Sequence, residues 1–250
     1  MVNNDKLVSI AMATYNGEKY LREQLDSIYN QTYKNIEVIV CDDCSVDETV
    51  TILEEYRLRF GLKYYINEKN LGYTKNFEKA AALCNGEFIA FSDQDDLWLN
   101  EKIEVLLKNI ENNLLIFSDA LVINSNKEII SNSRYDYISK IENVKTKYYQ
   151  NFAKKNALGC TILINKELLN HALPFKKTTG HDNWLISTAI KLNSIIFIDK
   201  QLIMYRIHDR NVLGNVFKNN PATKIKNYLK KNFTFIYIPL RSIYWTLSNK

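Results

Sequence analysis

The sequence predicts an α/β fold with a mostly parallel sheet and helices on both of its faces. Four short apolar runs in the first hundred residues have the length and composition of buried strands. Segments with helical spacing of apolar residues separate these runs, which gives a βαβαβαβ order typical of a parallel sheet. Three of the runs stop at polar turns. Because parallel strands end at the same edge of a sheet, these turns predict a ligand site at that edge.

The first three strands and the helices between them follow from local patterns. Strands are predicted at residues 8–13, 36–41 and 62–66, each an apolar run followed by polar residues. A helix over 18–31 would bury residues one turn apart, namely Leu21, Leu25 and Ile28. The next helix would be capped by Ser45 or Asp47 and would bury Val50, Leu53, Tyr56 and Phe60.

A third helix and a less regular second half complete the predicted order. The helix runs through Phe77, Ala81 and Leu83 to a fourth strand at 87–91. Beyond residue 100 the strands become mixed, and the polar and aromatic segment 131–157 is expected to be irregular. The remaining expected elements are helices at 101–111 and 182–192, and strands at 115–124, 128–130, 158–164, 195–198 and 202–205.

The stretch from residue 88 to residue 98 carries the strongest chemical signal. Its apolar run stops at three carboxylates, Asp93, Asp95 and Asp96, and Trp98 follows them. Like charges at this spacing repel one another unless a cation or hydrogen-bond donors hold them. The motif therefore predicts a divalent metal site at the end of the fourth strand. The alternative is a solvated acidic turn that caps the following helix.

Composition and charge narrow the class of protein. The chain has 250 residues, of which 46% are hydrophobic and 24% charged, as expected for one large α/β domain with a full core. The net charge of +5 is uneven, because residues 218–250 contain seven basic and no acidic residues, against 26 basic and 28 acidic residues in 1–217. Since no basic surface extends over the domain, nucleic-acid binding is not expected.

The N-terminus and the cysteines indicate a reducing compartment. The first residues contain no apolar core of a signal peptide, so a cytoplasmic location is expected. The four cysteines are accordingly expected to be reduced thiols. Cys41 and Cys44 have the C-x-x-C spacing of a zinc site, but no second Cys or His pair lies at matching spacing. We interpret both as packing residues.

Polar motifs occur in order at the predicted strand and helix ends, at residues 42–45 (DDCS), 70–72 (NLG), 92–96 (SDQDD) and 181–182 (HD). Together with the first strand and its turn, this ordered set resembles the family 2 glycosyltransferases of GT-A fold. The resemblance covers residues 7–210. It implies an enzyme that transfers a sugar from a nucleotide-sugar donor.

The resemblance also implies a two-part glycosyltransferase domain over residues 1–217. Residues 1–100 would form the nucleotide-binding half and residues 101–217 the acceptor-binding half. Segments 93–98 and 205–214 look most similar to those of bacterial rhamnosyltransferases of surface-polysaccharide synthesis. This similarity implies dTDP-L-rhamnose as donor and a saccharide or polyprenyl-linked saccharide as acceptor. A UDP-hexose, either glucose or galactose, is the alternative donor within the family.

Single residues receive roles from the same resemblance. Asp43 would accept the imide N–H of the nucleobase, and Lys75 would contact the diphosphate. Asp95 would be the direct ligand of Mn²⁺ or Mg²⁺, whose other partner is the diphosphate. The residues implied to contact the nucleotide-sugar are Ala13, Thr14, Tyr15, Asp43, Asn70, Gly72, Lys75, Asp93 and Gln94, and those implied to bind the metal are Asp95, Asp93 and His208.

Asp182 is matched to the catalytic base, at the start of a predicted helix whose dipole favours its ionised form. One base without a second carboxylate nucleophile implies a single displacement with inversion at the sugar carbon. The candidates for contacting the acceptor are Trp98, His181, Trp184 and Arg206. Structural alternatives stay open: Asp43 as a turn former, Asp182 as a helix cap, His208 as a surface residue, and Trp98 and Trp184 as core residues.

Other classes of protein fit the residues less well. A haloacid-dehalogenase-like phosphatase would carry its Asp-x-Asp motif after the first strand, whereas here the motif follows the fourth strand. A calcium-binding loop would require a glycine that is missing after Asp93. A catalytically silent nucleotide-sugar binder would lack the base or the metal motif, and the sequence contains both.

Residues 218–250 are predicted to form a basic and aromatic helical extension that docks on an anionic membrane. Five lysines lie at 218–231, and an aromatic and aliphatic segment follows at 233–247. If helical, this segment would be roughly 22 Å long, short of the roughly 30 Å hydrocarbon core. Basic residues beside aromatic ones are typical of interfacial anchors. The alternatives are packing on the protein's own body or on a twin subunit in a homodimer.

Truncation after Asn215 is predicted to weaken binding to anionic liposomes, because it removes the basic and aromatic residues of the extension. Flotation with anionic and with neutral liposomes measures this binding. The full-length chain should float with the anionic liposomes only, and the truncated chain with neither. Equal flotation of the two chains with anionic liposomes would contradict the membrane role.

Overall fold

The computed structural model describes residues 6–142, 157–176 and 178–208 of the chain. Strands and helices alternate through the first hundred residues, as the apolar patterns predict. The strands are β1 (Val8–Thr14), β2 (Ile36–Asp42), β3 (Lys63–Ile66), β4 (Phe88–Ser92), β5 (Leu97–Trp98), β6 (Leu115–Ile123), β7 (Ile129–Ser131), β8 (Ile162–Asn165) and β9 (Ile195–Arg206). The helices are α1 (Leu21–Tyr29), α2 (Thr49–Phe60), α3 (Tyr73–Ala82), α4 (Lys102–Asn109), α5 (Arg134–Glu142), α6 (Lys166–Ala172) and α7 (His181–Lys191).

The strands form one mixed sheet, which confirms the predicted α/β class. Their order along the sheet is β3-β2-β1-β4-β8-β6-β9-β5, and β7 pairs with β6. The first four strands are parallel to one another. β8 lies antiparallel between β4 and β6, and β6 is parallel to β9. The sheet is therefore parallel in the first half of the chain and mixed in the second, as predicted.

The register of β1 aligns the ends of three parallel strands. Thr14 at the end of β1 pairs with Asp42 of β2, and Met12 pairs with Ser92 at the end of β4. The polar turns that follow these strands therefore leave the sheet side by side. This edge is where open α/β sheets bind their ligands.

Alternate residues of β1 point to opposite faces of the sheet and belong to two separate cores. Ile10 and Met12 pack with Leu25, on the face that α1, α2 and α4 cover. Ala11 packs with Phe77, on the face that α3, α6 and α7 cover. Because helices cover both faces, the central strands β1 and β4 are buried on both sides, which explains their continuous apolar runs.

The structure corrects the prediction of an irregular segment at 131–157. Residues 134–142 of this segment form α5. Tyr135 at its start is buried, and its ring lies edge-on to Phe197 of β9 with 5.4 Å between the ring centres. The contact that orders the helix thus comes from a strand far along the chain, and no local pattern indicates it.

Other elements of the second half also differ from their predictions. Residues 159–161, expected to belong to a strand, form a turn of 3₁₀ helix before β8. The two strands predicted at 195–198 and 202–205 are one strand, β9, in which Asp199 and Lys200 bulge out of the pairing with β6. α6 and β5 have no counterpart in the prediction. α6 is too short for a clear periodic pattern, and β5 depends on pairing with β9.

The buried face of α2 is only partly the predicted one. Leu53 and Tyr56 are buried as expected, and Ile52 is buried with them. Val50 is half-buried, and Phe60 is 39% exposed. The buried face of α2 is therefore shifted by about one residue from the predicted set of buried positions.

All four cysteines are free. Cys41 is buried in the core, and Cys44 Sγ lies 3.1 Å from the carbonyl of Asn67. The predicted extension at 218–250 lies outside the described residues. In the described part of the chain, no helix is long and apolar enough to cross a bilayer.

Candidate active site

The carboxylates that follow β4 lie at the centre of the sheet edge. Burial, followed by the charges of Asp95 and Asp182, raises the pKa of Asp93 to about 7. Burial also raises the pKa of Asp96 well above its usual range, and the charges of Asp95 and Asp93 add to this shift. The carboxylates alone therefore place more negative charge here than a buried site readily stabilises.

The end of β9 holds this acidic turn in position. His208 Nε2 lies 2.8 Å from Asp95 Oδ2, and Arg206 Nε donates to the Asp95 carbonyl at 2.8 Å. The backbone N–H of Arg206 donates to Asp96 Oδ1 at 3.0 Å. The structure thus brings Asp95 and His208, two of the predicted metal ligands, together across a sequence separation of 113 residues.

A divalent cation fits the chemistry of this donor set. Oδ2 of the fully buried Asp96 accepts no N–H or O–H hydrogen bond within the described residues. Ligand atoms of Asp93, Asp96 and Cys160 lie within 4.8 Å of one another. Hard cations such as Mg²⁺ and Mn²⁺ prefer carboxylate oxygens, and a cation would offset the repulsion between them. Asp93 and Asp96 are the carboxylates that lie close enough to share an ion, and Asp95 and His208 are paired with each other next to them.

A buried lysine that the sequence analysis did not single out lies beside the cluster. Lys102 is 0% exposed, its Nζ donates to the Cys160 carbonyl at 2.6 Å, and it lies 3.3 Å from the centre of the Trp98 ring. Burial lowers the pKa of Lys102 to about 7, although the charges of Asp96 and Asp93 favour its protonated form. A lysine in the first turn of an amphipathic helix gives no sign in the sequence that it is buried.

Asp43 holds the loop between β3 and α3. Its carboxylate accepts the Asn67 amide at 2.8 Å, the Leu71 N–H at 2.7 Å and the Gly72 N–H at 2.9 Å. The Asn70 amide donates to the Asp43 carbonyl at 3.2 Å. The two turns that were predicted separately as nucleotide contacts therefore form one unit. Asp43 is 3% exposed, and three of the about four acceptor sites of its carboxylate are used within the protein.

The end of β1 is tied to both of its neighbours. Thr14 Oγ1 donates to Asp42 Oδ2 at 2.8 Å in the interior. The Tyr15 N–H donates to Gln94 Oε1 at 2.9 Å, and the Gln94 amide donates to the Tyr15 carbonyl at 3.1 Å. Ala13 is half-buried, and the Tyr15 side chain is 51% exposed. Thr14 and Gln94 thus fix the turn, while the Tyr15 ring is open to a ligand.

Asp182 lies in the first turn of α7, close enough to the β4 turn for its charge to raise the pKa of Asp93. Its Oδ1 accepts the Asn183 N–H at 2.7 Å. His181 is 5% exposed, stacks on the Phe77 ring at 3.9 Å, and has its pKa lowered by burial. The structure therefore brings Asp182 to the same edge as the β4 carboxylates and places His181 in the interior.

The chain matches the model of a protein family over most of its length. The model for glycosyl transferase family 2 matches residues 9–173. The chain belongs to glycosyl transferase family 2. The resemblance that the motifs indicate is thereby confirmed. The matched region contains the polar turns after β1, β2 and β4 and ends before Asp182.

Two curated relatives of this glycosyltransferase are named for different donor sugars. It is 31% identical over 250 residues to the UDP-Glc:alpha-D-GlcNAc-diphosphoundecaprenol beta-1,3-glucosyltransferase WfgD of Escherichia coli, with 98% of this chain and 92% of that protein covered. It is 32% identical over 220 residues to the dTDP-rhamnosyl transferase RfbG of Shigella flexneri, with 81% of this chain and 73% of that protein covered.

Solved structures confirm the GT-A class of fold. S. aureus TarS 1-349 in complex with UDP-GlcNAc has a TM-score of 0.64 at 24% identity, with 82% of this chain and 60% of that chain covered. The mannosyltransferase PcManGT from Pyrobaculum calidifontis, in complex with GDP-Man and Mn2+, has a TM-score of 0.62 at 17% identity, with 90% and 68% covered. This glycosyltransferase thus spans about three fifths of the TarS chain. At these identities the likeness concerns the fold alone.

Three residues predicted to contact ligands of the glycosyltransferase are engaged within the protein instead. Trp98 is 2% exposed and packs in the core. Trp184 is partly buried, and its Nε1 donates to the Ala172 carbonyl at 2.7 Å. Lys75, predicted to contact the diphosphate, has its Nζ 2.7 Å from Glu78 Oε1. Trp98 therefore has almost no surface left for a ligand, whereas Trp184 and Lys75 are only partly buried beside their partners.

Arg206, also predicted to contact the acceptor, is 1% exposed and joins several segments of the chain. Besides the Asp95 carbonyl, its guanidinium donates to the Ser125 carbonyl at 3.3 Å and to Glu23 Oε2 at 2.7 Å. Its Cζ lies 4.4 Å from the centre of the Tyr20 ring. Arg206 therefore positions the acidic turn and is not placed to contact an acceptor.

The substitution Arg206→Met is predicted to lower the free energy of unfolding by about 3 kcal/mol, because it removes a buried guanidinium that pairs with the partly exposed Glu23. We expect no larger loss, because Glu23 is 36% exposed and still pairs with Lys127 at 2.6 Å after the substitution. Lys127→Met is the control and should cost less than about 1 kcal/mol, because that pair is exposed to water. Urea unfolding of the three proteins measures both values, and equal losses would contradict the role given to Arg206.

Proposed function

We propose that this glycosyltransferase moves a hexose from a pyrimidine nucleoside diphosphate sugar to a lipid-linked saccharide, by one displacement with inversion. The observation that carries the proposal is the meeting of three groups at one sheet edge: the Asp43 turn, the acidic turn at 93–96, and Asp182. A nucleotide site, a site that stabilises negative charge and a base are the parts that such a displacement requires.

The nucleotide binds to residues 1–100 in this proposal. The remaining acceptor site of Asp43 takes the imide N–H, which uracil and thymine share. The exposed ring of Tyr15 lies against the nucleotide, since it stands at the same sheet edge. The other residues retained at this site act through the turns that they form: Ala13, Thr14, Asn70, Gly72, Asp93 and Gln94. Lys75 is left out because Glu78 already pairs with it.

Asp93, Asp95 and His208 are assigned to a divalent cation, either Mn²⁺ or Mg²⁺. When bound, the cation would neutralise the charge that grows on the diphosphate as it leaves the sugar. Asp96 is fully buried and accepts the Arg206 N–H through Oδ1. Arg206 and Gln94 keep the acidic turn in one conformation, so the ligand atoms are positioned before the donor binds.

Asp182 removes the proton from the acceptor hydroxyl while the hydroxyl oxygen attacks the sugar carbon and the nucleoside diphosphate leaves. The dipole of α7 favours the ionised carboxylate that this step needs. Because the attack comes from the face opposite the leaving diphosphate, the configuration at that carbon inverts. A β-L-rhamnosyl nucleotide would thus give an α-L-rhamnoside.

Two similarities support two candidates for the donor sugar. Segments 93–98 and 205–214 favour L-rhamnose, in agreement with the dTDP-rhamnosyl transferase of Shigella flexneri. The relative from Escherichia coli is named for UDP-Glc and is similar over 98% of this chain, which makes glucose the second candidate. Both nucleotides carry pyrimidine bases, so both similarities support a pyrimidine donor.

The acceptor is proposed from the Escherichia coli relative, whose name contains a sugar linked through diphosphate to undecaprenol. Residues 101–217 would bind this acceptor for cell-surface polysaccharide assembly. Residues 218–250 would dock on the inner face of the cytoplasmic membrane, where such lipids are anchored. The enzyme would then be a cytoplasmic protein that binds the membrane at its surface.

Nucleotide release is predicted from one of the pyrimidine donors in a panel of dTDP-L-rhamnose, UDP-glucose and UDP-galactose. The assay contains Mn²⁺ or Mg²⁺ and a synthetic alpha-D-GlcNAc-diphosphate lipid as acceptor, and it is repeated with EDTA. Release should stop with EDTA, because the carboxylates then lack their cation. GDP-mannose, a purine donor, is the control and should give none. Failure of every pyrimidine donor to bind or turn over would contradict the proposed function.

The substitution Asp182→Asn is predicted to lower the rate of transfer by roughly 10²- to 10⁴-fold, the usual contribution of a general base. Donor affinity should not fall, because Asn has the same shape, Asp182 is not assigned to the donor, and loss of its charge favours the ionised form of Asp93. Asp199→Asn, an exposed carboxylate of β9, is the matched control and should leave both values unchanged. Transfer at the normal rate by the Asp182→Asn protein would remove Asp182 from its role.

A further inference from the structure

A tyrosine that no motif singles out stands between the nucleotide turn and the proposed base. Tyr73 is the first residue of α3 and directly follows Gly72, whose N–H is held by Asp43 at 2.9 Å. Its side chain is 62% exposed, although it is a large aromatic residue. The backbone at Tyr73 is therefore fixed by the nucleotide turn, while most of its ring surface faces solvent.

The hydroxyl of Tyr73 lies close to the proposed base. A Cβ atom placed on Gly180 would lie 2.6 Å from Asp182 Oδ1 and 3.6 Å from the Tyr73 hydroxyl oxygen. Both oxygens thus border the same small space at the start of α7. Tyr73 belongs to the nucleotide half of the chain and Asp182 to the other half, so the tyrosine spans the gap between them.

One edge of the Tyr73 ring packs near the buried His181. Its ring lies 6.5 Å from the ring of His181, at an angle of 70° between their planes. His181 is in turn stacked on Phe77 at 3.9 Å. Among the described residues, none makes a hydrogen bond to the Tyr73 hydroxyl. The ring therefore has support at its edge and is free to contact a ligand with its face and hydroxyl.

This position matches the place of the transferred sugar. In the proposed reaction the sugar carbon lies between the diphosphate, held at the acidic turn, and the base Asp182. The backbone of Tyr73 lies next to the nucleotide turn, and its hydroxyl lies near Asp182. A sugar has an apolar face of C–H groups that gains free energy when an aromatic ring covers it. An exposed tyrosine at this point supplies such a ring.

We propose that Tyr73 is a sugar-binding residue that contacts the sugar of the donor through its ring and leaves the nucleotide to the Asp43 turn. This inference rests on the proposed function, since it requires a nucleotide-sugar at this edge. Its consequence is that Tyr73 contributes to the affinity for a nucleotide-sugar and not to the affinity for the nucleoside diphosphate alone.

The test compares the unaltered chain with Tyr73→Ala and Tyr73→Phe in calorimetric binding of UDP, UDP-glucose, dTDP and dTDP-L-rhamnose in the presence of Mn²⁺. Leu58→Ala, which truncates a 72% exposed apolar residue of α2, is the matched control. Tyr73→Ala should weaken binding of the preferred nucleotide-sugar by roughly three- to tenfold, the range expected for one aromatic contact. Its affinity for UDP and dTDP should stay unchanged.

Tyr73→Phe keeps the ring and should bind the preferred nucleotide-sugar within about twofold of the unaltered chain, because the ring makes the proposed contact. Equal weakening of nucleotide-sugar and nucleoside diphosphate by Tyr73→Ala would overturn the proposal, and so would no weakening of either. Absence of nucleotide-sugar binding by the unaltered chain is a different result. It would overturn the proposed function itself.

Discussion

The repulsion among the carboxylates after β4 is the constraint on which the rest of the site depends. Two unit charges about 4 Å apart repel by about 4 kcal/mol at the effective dielectric of a protein surface. Asp93 and Asp96 are partly or fully buried, so water does little to reduce this cost. The protein offsets it with cationic and N–H groups from other segments, among them Lys102, Arg206 and His208. A conformation that satisfies these carboxylates therefore requires most of the fold to be in place.

The topology of the second half follows from this requirement. β8 enters the sheet antiparallel to β4, and the turn before it carries the Cys160 carbonyl that Lys102 contacts. β9 runs parallel to β6 and ends at Arg206, beside the acidic turn. The parallel first half cannot complete the candidate metal site by itself, because His208 comes from the end of β9. The two halves are consequently one structural unit around a shared set of charges, although their sequence patterns differ.

At the proposed nucleotide side of the edge, a single carboxylate holds the loop before α3. Asp43 accepts three N–H groups from the loop after β3, which fixes Gly72 at a φ of +79°, a conformation that glycine adopts without strain. The loop is therefore shaped before any ligand arrives, and α3 starts at a defined position. Preorganisation of this kind lowers the ordering cost that binding would otherwise carry. It also places Tyr73 opposite Asp182, so the same loop borders both sides of the candidate site.

Local patterns in the sequence were sufficient for β1 to β4, for α1 to α3 and for the position of the acidic turn, because hydrophobic period and strand ends are local properties. The order of the motifs was also sufficient to name the family. The burial of Lys102 and Arg206, the core position of Trp98 and the helix at α5 could not be read in the same way. A charged or aromatic residue has the same local pattern whether it meets water, a ligand or a distant segment. Only the tertiary structure decides which of these partners it has, because those partners, such as Asp95 for Arg206, lie far away in sequence.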